Sequence, residues 1–317
     1  MEFAAPDDKS ERPRIVCVGG AVLDRKYRAR KELIQGTSNP VDGMTSHGGV
    51  ARNVAENLAR LGARVSFVSA VGDDEAGRTL RRGLTELSVD ISGVLVFPGR
   101  ATAEYVAVLD PRNDLALGLA DMAVFDRLTP PLLAMAWRDL EHSGWVFTDC
   151  NPPAETLAWL VARGRGGEFR LAVDTVSSPK SAKLPADLAG VSVLFTNVDE
   201  AAAMLGRAAA SPFEAARALQ ARGAANVVVT DGGRGYAVAA GGDAENFPVV
   251  AASPVDITGA GDAMIAGTLF SMLSGSAIGA ASKVGALVAA LTIESTSSVR
   301  PDLSPALLEA TRSRMIK

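Results

Sequence analysis

The chain has 317 residues, 48 % of them hydrophobic and 21 % charged, the make-up of an ordinary globular protein with room for one large core. With 32 Lys and Arg against 36 Asp and Glu the net charge is only −4, which argues against a nucleic-acid groove or a polybasic membrane surface and leaves small molecules as the expected partners. Two cysteines exclude a disulfide framework, no apolar run reaches the length of a membrane span, and the polar, acidic opening "MEFAAPDDKSERP" is no export signal; the expectation is a cytoplasmic protein with a disordered tail over 1–12 and one domain over 13–317.

From residue 14 onward, apolar runs alternate with helical patterns. "RIVCVGG" (14–20) is apolar without alternation, as a strand covered on both faces is, and "GGAVLD" (19–24) closes it with Asp24. Residues 27–47 are polar and carry Gly36, Pro40 and Gly43, which breaks the rhythm. "VARNVAENLARLG" (50–62) puts Val54, Leu58 and Leu61 on one helical stripe and stops at glycine. A second buried strand at 64–72 and a helix at 76–88 follow; "ATAEYVAVLD" (101–110) then alternates like a half-exposed antiparallel strand. Residues 144–150, 170–176, 191–197 and 226–233 again read as buried strands, with a helix at 212–223 among them. Strand and helix in this alternation imply an α/β fold with a mainly parallel sheet between helical layers. The segments at about 26–47 and 101–110 read as a small β lid over one end of that sheet.

"DITGAGDAMIAG" (256–267) sets a glycine turn ahead of an apolar helix expected over 263–273. Unpaired amides and the helix dipole make such a turn attractive to anions, phosphate above all. A carboxylate there, Asp262, can accept the proton of a hydroxyl attacking phosphorus, or it can merely cap the helix while the glycines turn the chain. A dinucleotide-binding turn fits poorly, since "GAGDAM" lacks the third glycine and lies near the C-terminus. Neither a G-x-x-x-x-G-K-[ST] loop nor the H-R-D and D-F-G pair is present.

Together with "HGGVARNVAENLARLG" (47–62), "DITGAGDAMIAG" resembles the paired signatures of the PfkB, or ribokinase-like, sugar kinase family, and the resemblance runs from residue 14 to about 301. It implies a ribokinase-like three-layer α/β/α sandwich with a small β lid, and ATP with Mg²⁺ as cofactors. Asp262 would be the catalytic base, and the amides of Gly259, Ala260 and Gly261 the anion hole. "NVDE" matches the family's Asn-x-x-Glu motif. Asn197 would serve the nucleotide and Glu200 would organise water around Mg²⁺, although alone the string is also a helix cap. "TDGGRGY" (230–236) resembles the nucleotide loop through Thr230, Gly232 and Gly235, and by itself it is a hairpin turn. Asp24, Gly48, Gly49 and Asn53 would hold the sugar, with Val22 standing where many relatives have asparagine. Asp256 and Thr258 fall where many relatives bind a monovalent cation such as potassium, or form a plain turn.

Several strings resemble the pseudouridine kinase branch: "SNP" (38–40), "GGVARN" (48–53), "ADM" (120–122), "DCN" (149–151) and "VSSPKS" (176–181). In that branch Asp121, Met122 and Asn151 would face the base, whereas each residue alone is ordinary loop or cap chemistry. The expectation is therefore 5′-phosphorylation of pseudouridine. The alternatives are another sugar or nucleoside substrate (ribose, adenosine or a ketose) and a non-catalytic nucleoside sensor. Family members often pair through the lid, which implies a homodimer.

Overall fold

The computed structural model describes residues 14–137 and 144–316; the tail expected over 1–12 lies outside the described residues. The first half of the chain forms β1 (Arg14–Val18), β2 (Val22–Ala29), β3 (Val41–Gly48), α1 (Val50–Arg60), β4 (Arg64–Gly72), α2 (Glu75–Glu86), β5 (Asp90–Phe97), β6 (Glu104–Leu109), β7 (Leu115–Asp121), α3 (Pro130–Trp137) and β8 (Trp145–Asp149). The second half forms α4 (Ala154–Arg165), β9 (Arg170–Asp174), α5 (Ser178–Ser181), β10 (Val191–Asn197), α6 (Val198–Leu205), α7 (Pro212–Gln220), β11 (Asn226–Thr230), β12 (Tyr236–Ala240), β13 (Asp243–Phe247), α8 (Ala260–Leu273), α9 (Ile278–Ile293) and α10 (Pro305–Thr311).

Nine strands build the central sheet in the order β13-β12-β11-β10-β9-β8-β1-β4-β5. All neighbours run parallel except β11 with β12 and β12 with β13. The period-2 geometry of a strand explains why its runs show no polar alternation. In β1, Ile15 and Cys17 enter one core with Leu58 of α1, Leu80 of α2, Leu269 of α8 and Leu287 of α9. Val16 and Val18 enter the other with Leu157 of α4, Ala201 of α6 and Leu219 of α7. Val54, Leu58 and Leu61 are fully buried, so the stripe of α1 does face the sheet. Among the described residues no helix is long and apolar enough to cross a membrane.

The lid is a second sheet of four strands, β3-β2-β6-β7. It differs from expectation in three ways. It begins at Val22, so Asp24 stands on a lid strand rather than at the end of β1. Strand β6 pairs antiparallel only with β7; toward β2 it runs parallel, with Leu23 opposite Glu104. The fourth strand, β7, is a strand the sequence did not predict, because its Leu115, Leu117 and Leu119 point outward and stay 58, 52 and 53 % exposed.

Helices α8 and α9 cross at closest approach where glycines face each other. A side chain on Gly267 would strike Val288 and Gly285, and one on Gly285 would strike Thr268 and the Met264 carbonyl. The contact seats α8, which carries Asp262, firmly on the domain. Gly285→Val should overpack this crossing, cost about 1–3 kcal/mol and lower the thermal midpoint by several degrees, at roughly 2–4 °C per kcal/mol, in a circular-dichroism melt.

Candidate active site

The site is organised around a carboxylate that the sequence did not single out. Asp149, the last residue of β8, is fully buried. It accepts hydrogen bonds from the Gly20 amide (2.9 Å), the Ala51 amide in the first turn of α1 (3.1 Å), the Asn151 amide (2.9 Å) and Asn151 Nδ2 (2.8 Å). Four donors meet the cost of burying the charge and pin the end of β1 to the start of α1. The glycines explain themselves here. Side chains on Gly19 and Gly20 would collide with Asp149 and Asn151, and one on Gly49, at φ +93°, would collide with the Gly20 carbonyl. Gly48 leaves room for the carboxylate of Asp24.

Helix α1 then presents Asn53, whose Nδ2 donates to Asp262 Oδ2 at 2.7 Å. Its orientation is set by Arg52, which donates from Nη1 to Asn53 Oδ1 (2.8 Å) and to the His47 carbonyl (3.2 Å) and pairs with Glu56. Asp262 lies in the first turn of α8 behind Gly259, the N-cap, whose φ of +82° and contact with the Ser298 carbonyl only glycine allows. The helix starts at Ala260, three residues earlier than expected. Of the three amides expected to form an anion hole, that of Ala260 bends back to the Ile257 carbonyl at 3.3 Å, while Gly261 is exposed with open space beside it. Burial pushes the Asp262 carboxyl up to about 7; Asn53 and Arg52 pull it down, Asp149 and Asp24 push it up.

Two cavities meet the site. The smaller, about 150 Å³, lies at the carboxyl ends of β9, β10 and β11 and is lined by Asp174, Asn197, Glu200, Thr230, Gly261 and Asp262 among others. Asn197 and Glu200 form a reciprocal capping box, and Glu200 Oε2 also accepts from Thr175. The helix cap and the cavity lining thus coexist in one pair of residues. Burial, with Glu200 and Asp262 close by, raises the Asp174 carboxyl well above the usual range. None of the lining residues is basic and three, Asp174, Glu200 and Asp262, carry carboxyl oxygens, the ligand type a divalent cation takes. Among the described residues no three acidic, His or Cys groups are arranged to hold a metal ion directly.

The larger cavity, about 540 Å³, lies between lid and domain and is lined by Asp24, Lys26, His47, Arg52, Asp256 and Thr258 among others. Burial lifts the Asp24 carboxyl to about 6, against the pull of Lys26 and Arg52.

Other expected residues stand elsewhere. Asp121 is exposed at the end of β7 and Met122 packs against the small core of Val22, Ala103 and Phe125; neither lines these cavities. Asn151 is buried, with Nδ2 given to Asp149 and Oδ1 taken by Lys180 Nζ at 2.6 Å, so it buttresses Asp149. Gly232 and Gly235 form the turn between β11 and β12; Gly232 is open to approach, whereas Gly235 is required by its contact with the Phe247 carbonyl of β13. Asp149, Asp174 and Arg52 are the residues the sequence hid. Its one signal was that Asp149 and Asp174 each end a strand and lie in register on neighbours, where open α/β sheets place ligands.

A family model described as pfkB family carbohydrate kinase matches residues 12–304. An Escherichia coli protein described as uncharacterized sugar kinase YeiI is 31 % identical over 93 % of this chain and 82 % of its own length. The pseudouridine kinase of Escherichia coli is 30 % identical, over 81 % and 83 %. The structure of Arabidopsis thaliana ribokinase complexed with ribose and ATP superposes with a TM-score of 0.82 at 18 % identity, covering 96 % of this chain and 98 % of that one, and so shares the ribokinase-like fold.

A base acts only when ionised, so kcat/KM should rise with pH through about 7. Asn53→Ala removes a donor that favours the carboxylate and should move this limb to higher pH; an unmoved limb would assign it to another group. The raised value also means that Asp262 contributes stability that is complete below its ordinary 3.8 and lost as pH rises through about 7. Asp262→Asn should therefore melt above wild type on the alkaline side and approach it on the acid side.

Proposed function

The chain belongs to the PfkB family of carbohydrate kinases, and within that family we propose that it phosphorylates the 5′-hydroxyl of pseudouridine with ATP, giving pseudouridine 5′-phosphate and ADP. The carrying observation is Asp262, held by Asn53 at the N-terminus of α8 and raised to about 7 in the lining of the smaller cavity. In the proposed reaction the nucleoside lies beneath the lid with its ribose hydroxyls on Asp24 and Asn53. Asp262 takes the proton of the 5′-hydroxyl, whose oxygen forms the new bond to the γ-phosphorus as the bond to the ADP oxygen breaks. The backbone at Gly259, Ala260 and Gly261 faces the charge on the transferring group, and the turn at Thr230, Gly232 and Gly235 with Asn197 takes the nucleotide. Glu200 and Asp174 in the smaller cavity are the residues that would hold Mg²⁺, which when bound would neutralise phosphate charge.

The choice of pseudouridine is supported by the strings shared with that branch and by the 30 % identity to the Escherichia coli enzyme over 81 % of this chain. Fructokinase of Klebsiella pneumoniae, at 28 % identity, and ribokinase of Haemophilus influenzae, at 24 %, make a ketose and ribose the alternatives to test. A cytoplasmic homodimer paired through the lid is part of the same proposal, supported by the exposed leucines of β7.

An ADP-release panel of pseudouridine, uridine, adenosine, ribose and fructose should show pseudouridine with the highest kcat/KM; turnover of ribose without pseudouridine would reject the assignment. Asp262→Asn should lose about 10²–10⁴-fold in kcat while nucleoside binding, read by calorimetry, persists. Unchanged turnover would remove Asp262 from the mechanism.

A further inference from the structure

Helix α1 buries a charge that the proposed reaction does not use. Glu56 is 6 % exposed and lies one turn beyond Arg52, itself 7 % exposed. Both carboxylate oxygens are taken: Oε2 pairs with Arg52 Nη2, and Oε1 accepts from Arg60 Nε and Nη2 at 2.9 and 2.7 Å. The two guanidinium groups then reach different segments. Arg52 Nη1 donates to the His47 carbonyl near the end of lid strand β3 (3.2 Å) and to Asn53 Oδ1 (2.8 Å). Arg60 Nη1 donates to the Pro301 carbonyl, and the Ser298 carbonyl of the same segment is the group that Gly259, the N-cap of α8, lies against. One carboxylate thus joins the lid, the Asn53 amide and the seat of α8.

Stability does not account for this arrangement. Replacing a buried Arg–Glu–Arg set with apolar side chains of similar volume is often neutral or stabilising. Here Arg52 Nε is buried with no hydrogen-bond partner, which adds to the cost. Burial pulls the Arg52 guanidinium below its ordinary range, and Glu56 is the charge that most opposes this. What the set does is decide which end of an amide faces Asp262. An asparagine amide can serve a carboxyl group in either form, since its NH₂ donates to the ionised form and its oxygen accepts from the neutral one. With Oδ1 occupied by Arg52, Asn53 offers Asp262 only Nδ2, which it does at 2.7 Å.

We propose that Glu56 is a positioning residue for the reaction: by fixing Arg52 it locks the Asn53 amide with its NH₂ toward Asp262, and by fixing Arg60 it braces the segment on which the N-cap of α8 rests. Glu56 acts on the base only through other side chains. Without its charge, Arg52 is left with Asp24 and Asp262 as carboxylate neighbours, and a guanidinium drawn to either of them releases Asn53. The consequence for turnover rests on the kinase reading above; the orientation of Asn53 does not.

The test compares wild type with Glu56→Gln, which keeps the shape and removes the charge, and with the double variant Arg52→Met/Glu56→Met, which fills the space with apolar atoms. The side-chain amide of Asn53 in proton–nitrogen NMR, assigned by its loss in Asn53→Ala, reports orientation without activity. In wild type one Asn53 amide proton should be shifted downfield and protected from solvent exchange by its bond to Asp262. Both variants should lose about tenfold or more of that protection and about tenfold or more in kcat, with KM for ATP within about twofold of wild type. The double variant should melt no lower than wild type, so that its loss of turnover is not a loss of fold. An Asn53 amide that keeps its wild-type protection in either variant, or a wild-type kcat once that protection is gone, overturns the proposal. If none of the proteins phosphorylates any acceptor, the kinase reading fails while the amide signal still decides whether Glu56 orients Asn53.

Discussion

A buried carboxylate, Asp149, is the constraint from which the rest of the site follows. Sealing a charge inside a protein is tolerated only when its lone pairs are met, and here four N–H donors meet them. Three of the donors are backbone amides, so satisfying the charge fixes main chain: the exit of β1, the entry of α1 and the turn after β8. Once α1 starts at that point, its fourth residue, Asn53, necessarily faces the start of α8. Lys180 and Lys183 close the arrangement from outside by holding Asn151 through its side chain and its carbonyl.

Burial is what chiefly raises the carboxyls of Asp262 and Asp174, and the same constraint adds to it. Asp149 is one of the charges that raise Asp262 and Asp174, and Asp24 adds to the first of them. Stability alone would not gather carboxylates at the ends of adjacent strands. A carboxylate that titrates near neutrality, as Asp262 does, is a better proton acceptor than an ordinary surface aspartate, which is what its proposed role requires. Arg52, buried beside Asn53 and paired with Glu56, tempers the crowd without pairing with Asp262 itself.

Much of the architecture was legible because local pattern and final environment agree. Val16 and Val18 enter one core and Ile15 and Cys17 the other, and an unbroken apolar run is the signature of such a strand. The glycine turn before Asp262 was legible for a similar reason, since its chemistry is confined to a few consecutive residues. What stayed hidden depends on contacts distant in sequence. Nothing within "ATAEYVAVLD" announces that β6 lies parallel to a strand eighty residues earlier. The outward leucines of β7 do not match a strand with one wet face, and Asn151 looks free to read a base until Lys180 and Asp149 are seen to occupy it. Asp149 is the clearest case, because its partners come from three separate elements.

The position of β1 has a consequence for biosynthesis. Of the described strands it comes first in the chain, yet it lies between β4 and β8, so one of its edges finds no permanent neighbour until residue 149 has been added. A nascent chain that ends before β8 therefore carries an apolar, unpaired strand edge, the kind of surface on which truncated products aggregate.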